Sequence, residues 1–143
     1  MIEQAYALIV NKEHSVLLVQ ESDKSWSLPG GAKEEFDTDI IATLHRELEE
    51  ELGLYKKNYS VIATDISVSF VYDERSKSRQ GQGAKIDLFI ITLLAEAQIK
   101  PNNEINNVRW SSINEAIKMM RFDEHRELVQ RGNDYLLSLK AKE

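Results

Sequence analysis

The chain has 143 residues, 42% hydrophobic and 29% charged, a composition that excludes a disordered or fibrous protein and fits one domain over residues 1–143. Its 18 basic and 24 acidic side chains leave a net charge of −6, which argues against wrapping a DNA or RNA polymer, since that needs a basic stripe. No apolar run approaches the roughly 18–20 residues that span a bilayer, and the complete lack of cysteine rules out disulfides, thiolate metal sites and a cysteine nucleophile. Residues Met1 to Val10 carry Glu3 and no basic opening, so they do not read as a secretory signal; the default address is cytoplasmic.

Along the chain, Tyr6–Val10 and Ser15–Gln20 are short β-branched and leucine-rich runs around the polar Asn11-Lys12-Glu13-His14, which predicts a hairpin. Trp26-Ser27-Leu28 then enters Pro29-Gly30-Gly31, a loop in which proline ends pairing and the glycines permit unusual backbone angles. From about Thr38 to Leu52, Ile41, Leu44, Leu48 and Leu52 recur at three- and four-residue spacing, predicting a helix with one buried stripe. Thr38 or Asp37 is a candidate cap for its start, and Gly53 suits a left-handed end.

Ile66, Val68, Phe70 and Tyr72 alternate with mostly polar neighbours, as in a half-buried strand. Asp73–Gly83 reads as a polar loop, and Ile86–Leu94 as a strand buried on both faces. Pro101-Asn102-Asn103 turns the chain into a strand over Ile105–Trp110. Ser111 and Ser112 precede a helix over Asn114–Met120, and a last helix runs from Asp123 to about Leu139. Together these elements predict a mixed sheet flanked by helices.

The chemistry concentrates in Arg46-Glu47-Leu48-Glu49-Glu50-Glu51-Leu52-Gly53-Leu54. On a helix Glu47, Glu50 and Glu51 stand at i, i+3 and i+4, so their carboxylates share one face while the leucines hold the other to the core. Like charges so placed repel, and a hard divalent ion such as Mg²⁺, which takes oxygen ligands and is readily shared with substrate phosphates, would offset them. The plainer reading of three glutamates alone is a solvated acidic helix face. Arg46 cannot ligate a metal but can orient a neighbouring carboxylate.

With its surroundings, this segment resembles the Nudix hydrolases. Their box ends in Arg-Glu-apolar-x-Glu-Glu-x-Gly-apolar, which Arg46 to Leu54 match at every defined position. Trp26-x-Leu28-Pro29-Gly30-Gly31 looks like the family's approach to the box, and Glu34 sits where many members carry an acid. Two departures stand out. Six residues after Gly31 comes Asp37 rather than glutamate, with one residue more than the family spacing before Arg46, and Phe36 replaces a frequent glycine. They leave the role of Asp37 open and the glutamate cluster intact.

The resemblance implies an α/β (α+β) Nudix fold, an α/β/α sandwich around a mixed β-sheet, and metal-dependent hydrolysis of a nucleoside diphosphate derivative: a nucleoside triphosphate, an oxidised one, ADP-ribose or a nucleotide sugar. It implies that Glu47, Glu50 and Glu51, with the Gly31 carbonyl, hold Mg²⁺ or Mn²⁺, and that Arg46 positions a glutamate. Glu47 is the first candidate for the base that takes a proton from water, and Glu104, six residues before Trp110, the second; Glu104 also reads as a plain exposed loop acid. The expected partner is a small nucleotide-type substrate, with homodimers frequent in the family. Two rivals remain beside the enzyme. One is a Nudix module that senses nucleotides or binds a partner without catalysis. The other, an isopentenyl diphosphate isomerase on the same fold, is nearly closed because that family uses a catalytic cysteine.

Other residues carry weaker signals. His14, His45 and His125 show no ligand spacing and read as surface or supporting residues, although His125 and Arg126 stand where they could line a pocket. Arg75, Lys77 and Arg79 read as a solvated hairpin tip or, if extended, as a flap that reaches phosphate. Trp26, Phe70, Tyr72 and Phe89 read as core or as a base-stacking platform. Phe122-Asp123-Glu124-His125 slightly resembles members that hydrolyse ADP-ribose.

Overall fold

Strand β1 (Ile2–Val10) runs through the middle of the sheet and organises everything around it. The computed structural model describes residues 1–142. After β1 come β2 (Val16–Gln20), β3 (Trp26–Ser27), β4 (Gly30–Ala32), α1 (Ile40–Leu52), β5 (Tyr59–Val71), β6 (Gly83–Leu93), β7 (Asn107–Ser111), α2 (Ile113–Met119) and α3 (Asp123–Ala141). The strands form one mixed sheet in the order β3-β2-β1-β6-β5, with β4 beside β1 and β7 beside β2. β1 and β6 run parallel from Ile2↔Ala84 to Val10↔Thr92, while the other strand pairs are antiparallel.

Period-two alternation sends neighbouring residues to opposite faces. Ala7, Ile9, Leu17, Val19, Phe89 and Ile91 meet Leu44, Leu48 and Leu52 of α1 on one side. Leu8, Leu18, Leu88 and Ile90 meet Ala116 of α2 and Leu128 and Val129 of α3 on the other. The result is the α/β/α sandwich, with β6 buried on both faces as its apolar run requires. Each buried leucine of α1 is worth about 1.5–3 kcal/mol, against a few tenths for a like-charge pair on the helix. Packing therefore fixes the helix and presents the carboxylates.

Three details differ from the sequence reading. Helix α1 is capped by neither Thr38 nor Asp37: Asp39 Oδ1 accepts from the Ala42 N–H at 2.9 Å, because Asp37 is committed elsewhere. With the start moved, Ile40 packs on the core and Ile41 is 36% exposed. Strand β5 begins at Tyr59 and carries a bulge between Ala63 and Ser67, where Thr64 Oγ1 donates to the Leu88 carbonyl at 2.7 Å and accepts from the Ile66 N–H at 3.1 Å. A bulge breaks the two-residue period, which hid the first half of this strand.

The site is positioned by a fork along β1. Its Gln4–Tyr6 segment pairs with Ala32–Gly30 of β4, whereas β2 meets β1 through Val10↔Val16. Gly30 and Gly31 therefore lie at the centre of the sheet, under α1. Among the described residues no helix is long and apolar enough to cross a membrane.

Candidate active site

Two glycines bring the sheet into contact with the acidic face of α1. Gly30 has φ +149°, and a Cβ on it would lie 2.2 Å from the Ala5 carbonyl oxygen and 2.7 Å from Tyr6 Cα. A Cβ on Gly31 would lie 2.5 Å from Glu47 Oε1. The Gly30 N–H donates to Glu51 Oε2 at 3.2 Å. The missing side chain of Gly31 lets the Glu47 carboxylate approach the β4 backbone, and that of Gly30 lets β4 lie against β1.

Arg46 uses all of its donor nitrogens here. Nε donates to Asp37 Oδ1 at 3.0 Å and Nη2 to Asp37 Oδ2 at 2.9 Å and to the Ala32 carbonyl at 3.0 Å. Nη1 donates to Glu47 Oε1 at 3.1 Å and to Glu50 Oε2 at 3.2 Å. Buried Asp37 also accepts from the Glu34 N–H and the Thr43 hydroxyl, both at 2.9 Å. Asp37 thus anchors the arginine that orients Glu47 and Glu50, and Phe36, where a glycine is frequent, lies 5.3 Å from the same guanidinium.

Electrostatics separate these acids into two kinds. The Arg46 hydrogen bonds hold Asp37 far below the usual carboxylate range. Burial pushes Glu47 up to about 7 despite Arg46, and burial together with the charges of Glu47 and Glu21 pushes Glu51 up to about 9. Glu21, just past the end of β2, is itself raised by burial. The sequence reading missed Glu21, which stands in a polar turn with nothing to mark it.

The 100–106 segment closes the C-terminal end of α1. The Lys100 and Asn102 N–H groups donate to the Leu52 and Glu51 carbonyls at 2.7 and 3.1 Å, and Asn102 Nδ2 donates to the Glu50 carbonyl at 2.6 Å. Glu104 follows on this tethered segment with an exposed side chain, near enough to Glu21 to raise its pKa. The loop therefore brings Glu104 to the same end of the site.

The groups that could hold a metal here, the carboxylates of Glu47, Glu50 and Glu51 and the Gly31 carbonyl, offer oxygens, which suit a hard divalent cation. Glu47 and Glu50 turn to Arg46 and Glu51 to the Gly30 N–H, and no three acidic or histidine side chains among the described residues already encircle one point. Desolvation and the neighbouring carboxylates raise Glu47 and Glu51, and a divalent charge would offset both.

On the other side of Tyr6 a cavity of about 190 Å³ opens, walled by Tyr6, Phe70, Tyr72, Phe122 and His125. The Tyr6 phenol is raised by burial and next by the charge of Glu51, so this residue joins the cavity to the carboxylate cluster. Gln4 Nε2 and Arg79 Nη1 donate to the Tyr72 hydroxyl at 2.6 and 3.1 Å, and Arg75 pairs with Asp73 at 2.7 Å and lies 4.8 Å from the Phe122 ring. The 73–83 loop is therefore not an extended flap with three parallel cations: Arg75 and Arg79 fold back onto the cavity wall, while Lys77 is exposed.

The other sequence candidates scatter. Phe89 is in the core, and Trp26 packs on the opposite face of the sheet from α1. His14 hydrogen-bonds Asn133 and His45 hydrogen-bonds Tyr59, away from the cluster. Arg126 is taken up by Asp123 and the Met120 carbonyl. His125 is no surface residue: it is 8% exposed, because its helix turn packs edge-on against Tyr6 at 4.7 Å.

A sandwich whose helix presents clustered carboxylates above a glycine pair has the makings of a phosphoric anhydride hydrolase. The chain belongs to the NUDIX domain family, which matches residues 3–132. It is an enzyme of that family, a hydrolase acting on pyrophosphate bonds. Over 158 aligned residues it is 25% identical to the bis(5′-nucleosyl)-tetraphosphatase [asymmetrical] of Rattus norvegicus, covering 99% of this chain and 100% of that one. Its fold is similar to a C. elegans Ap4A hydrolase binary complex (TM-score 0.79, 20% identity, 96% of this chain and 99% of that one). It is also similar to the E. coli dihydroneopterin triphosphate pyrophosphohydrolase (TM-score 0.78, 20% identity, 90% and 92%).

Proposed function

We propose that this chain, acting as one domain over residues 1–143, hydrolyses a diphosphate linkage in a nucleoside polyphosphate with the help of Mg²⁺ or Mn²⁺. The observation that carries the reading is the pair of half-buried carboxylates, Glu47 and Glu51, raised to about 7 and about 9 beside the Gly30–Gly31 backbone. Similarity to the rat tetraphosphatase makes dinucleoside tetraphosphates the first substrates to test. Nucleoside triphosphates, oxidised ones, ADP-ribose and nucleotide sugars complete the panel.

Glu47, Glu50, Glu51 and the Gly31 carbonyl would hold the cation. When bound, it would lower the pKa of the attacking water and neutralise charge on the phosphate oxygens. The protein's share is positional. Glu47, its carboxylate fixed by Arg46, is the first candidate to take the proton of the attacking water. Glu104 is the second candidate for that proton. Arg46 holds Glu47 and Glu50 in register, and Asp37 holds Arg46.

The test is phosphate release from the panel with Mg²⁺, with Mn²⁺ and with chelator, alongside Glu50→Gln and Glu51→Gln. Turnover that needs the metal and is lost in both variants is expected. Turnover that survives chelation or both substitutions would overturn the assignment of the metal site.

A further inference from the structure

Phe36 is 72% exposed, the most exposed aromatic side chain among the described residues. Single hydrophobes on a surface are ordinary and by themselves mean nothing. What sets Phe36 apart is where its ring lies: Arg46 Cζ stands over it, 5.3 Å from the centroid. That arginine side chain is only 17% exposed, and its N–H groups are all taken up by Asp37, the Ala32 carbonyl, Glu47 and Glu50. A guanidinium donates only in its own plane, so its flat faces are what remain for another contact. Two consecutive residues therefore hold one group from two directions, Asp37 along the plane and Phe36 across a face.

We infer that Phe36 is a further positioning residue for the hydrolysis, fixing the tilt of the Arg46 plane so that Nη1 keeps its hold on both Glu47 and Glu50. This rests on the role proposed above for Arg46 and adds what keeps that side chain level. Asp37 grips Nε and Nη2 at 3.0 and 2.9 Å, and a grip at two points is a hinge: the guanidinium can still tip about the line through them. Nη2 lies on that line, so its bond to the Ala32 carbonyl restrains the tipping little. Nη1 lies off it and swings furthest. Its bonds to Glu47 and Glu50 are the longer ones, 3.1 and 3.2 Å, and the Glu50 side chain is 54% exposed, so water competes for Nη1 at that end. A ring laid across the face opposes the tipping and keeps water off that side. The attraction of a cation to the ring face supplies the contact without using an in-plane donor. It also adds no further carboxylate to a site that already gathers several.

The experiment compares the parent chain with Phe36→Ala and Phe36→Tyr by two readouts. The first is the exchange of the Arg46 guanidinium protons with water, followed by ¹⁵N–¹H NMR of the intact protein without metal. The second is steady-state kinetics with Mg²⁺ on whichever member of the substrate panel the parent hydrolyses fastest. In Phe36→Ala the Nη1 protons are expected to exchange about two- to fivefold faster and kcat to fall by the same factor, the scale of an exposed cation–π contact, with KM unchanged. Phe36→Tyr keeps a ring face and is expected to match the parent in both. Because the ring is exposed, both variants are expected to melt with the parent. Unchanged exchange or unchanged kcat in Phe36→Ala would overturn the inference. So would a raised KM at constant kcat, which would place the ring against substrate, or a Phe36→Tyr chain that behaves like Phe36→Ala. The two readouts also separate this inference from the reading it rests on. Parent turnover with Arg46 exchange unmoved by Phe36→Ala overturns this inference alone, and faster exchange in a chain whose parent hydrolyses nothing overturns the proposed reaction.

Discussion

Asp37 and Arg46 form a two-pronged pair, Nε to Oδ1 at 3.0 Å and Nη2 to Oδ2 at 2.9 Å, across the one place where the chain is a residue longer than its family's spacing. The extra residue is absorbed before the helix, where Asp39 takes the cap and Asp37 remains free to grip the arginine. Because the Asp37 side chain is 4% exposed, Asp37→Asn removes the most buried of the three carboxylates that Arg46 pairs with and leaves it Glu47 and Glu50. A loss of about 1.5–3 kcal/mol in unfolding free energy, read by urea denaturation, is expected for losing a hydrogen bond to a charged group.

Arg46→Lys tests orientation separately from charge. A lysine keeps the positive charge but cannot reproduce the guanidinium fork that reaches Asp37, the Ala32 carbonyl, Glu47 and Glu50 together. Steady-state kinetics should show kcat reduced by about 10²-fold, as for a misplaced catalytic group, with a smaller change in KM. An unchanged kcat would remove Arg46 from the positioning role.

The two glycines should fail in different ways. At Gly30 the new methyl group meets backbone, the Ala5 carbonyl oxygen and Tyr6 Cα, so Gly30→Ala is expected to destabilise the fold by roughly 1–3 kcal/mol, as overpacking does. At Gly31 it meets the flexible end of Glu47, which can swing away. Gly31→Ala should therefore melt close to the parent temperature yet lose activity. Circular dichroism melts beside phosphate release distinguish the two.

Stability without metal should depend on alkaline pH. Glu47 and Glu51 rise from 4.5 to about 7 and about 9 on folding, so between those limits the folded chain holds more protons than the unfolded one. Their contribution is complete below about pH 4.5 and is lost as pH rises through about 7 and about 9. Between pH 6 and 9.5 the unfolding free energy should fall by on the order of 2–4 kcal/mol. Glu51→Gln should flatten that slope, and Mg²⁺ should restore stability at the alkaline end by favouring the deprotonated carboxylates. A flat parent profile would show that these acids are not desolvated. Asp37, held below its ordinary value, acts on the acid side, whereas His125, pushed from 6.5 down to about 4, adds stability as pH rises to about 6.5 and so offsets part of the fall at the lower edge of this window.

The sequence by itself determined the helix over the glutamates, the glycine pair before it, the double-sided burial of β6 and the family. Each is written in a local period or a contiguous motif, which neighbouring residues alone can state. Only the tertiary structure decided what Asp37 does, since its partner lies nine residues on and meets it through a loop of irregular length. Only the structure joined Glu21 to Glu51, at the ends of separate elements, through burial that no spacing encodes. His125 was left open between a surface or supporting place and a pocket wall, and the structure puts it in the wall: one histidine in the first turn of a helix looks alike whether water or Tyr6 lies against it. The desolvation that sets its protonation, like that of Glu47 and Glu51, is a property of everything packed around a residue, and it exists only once the chain has folded.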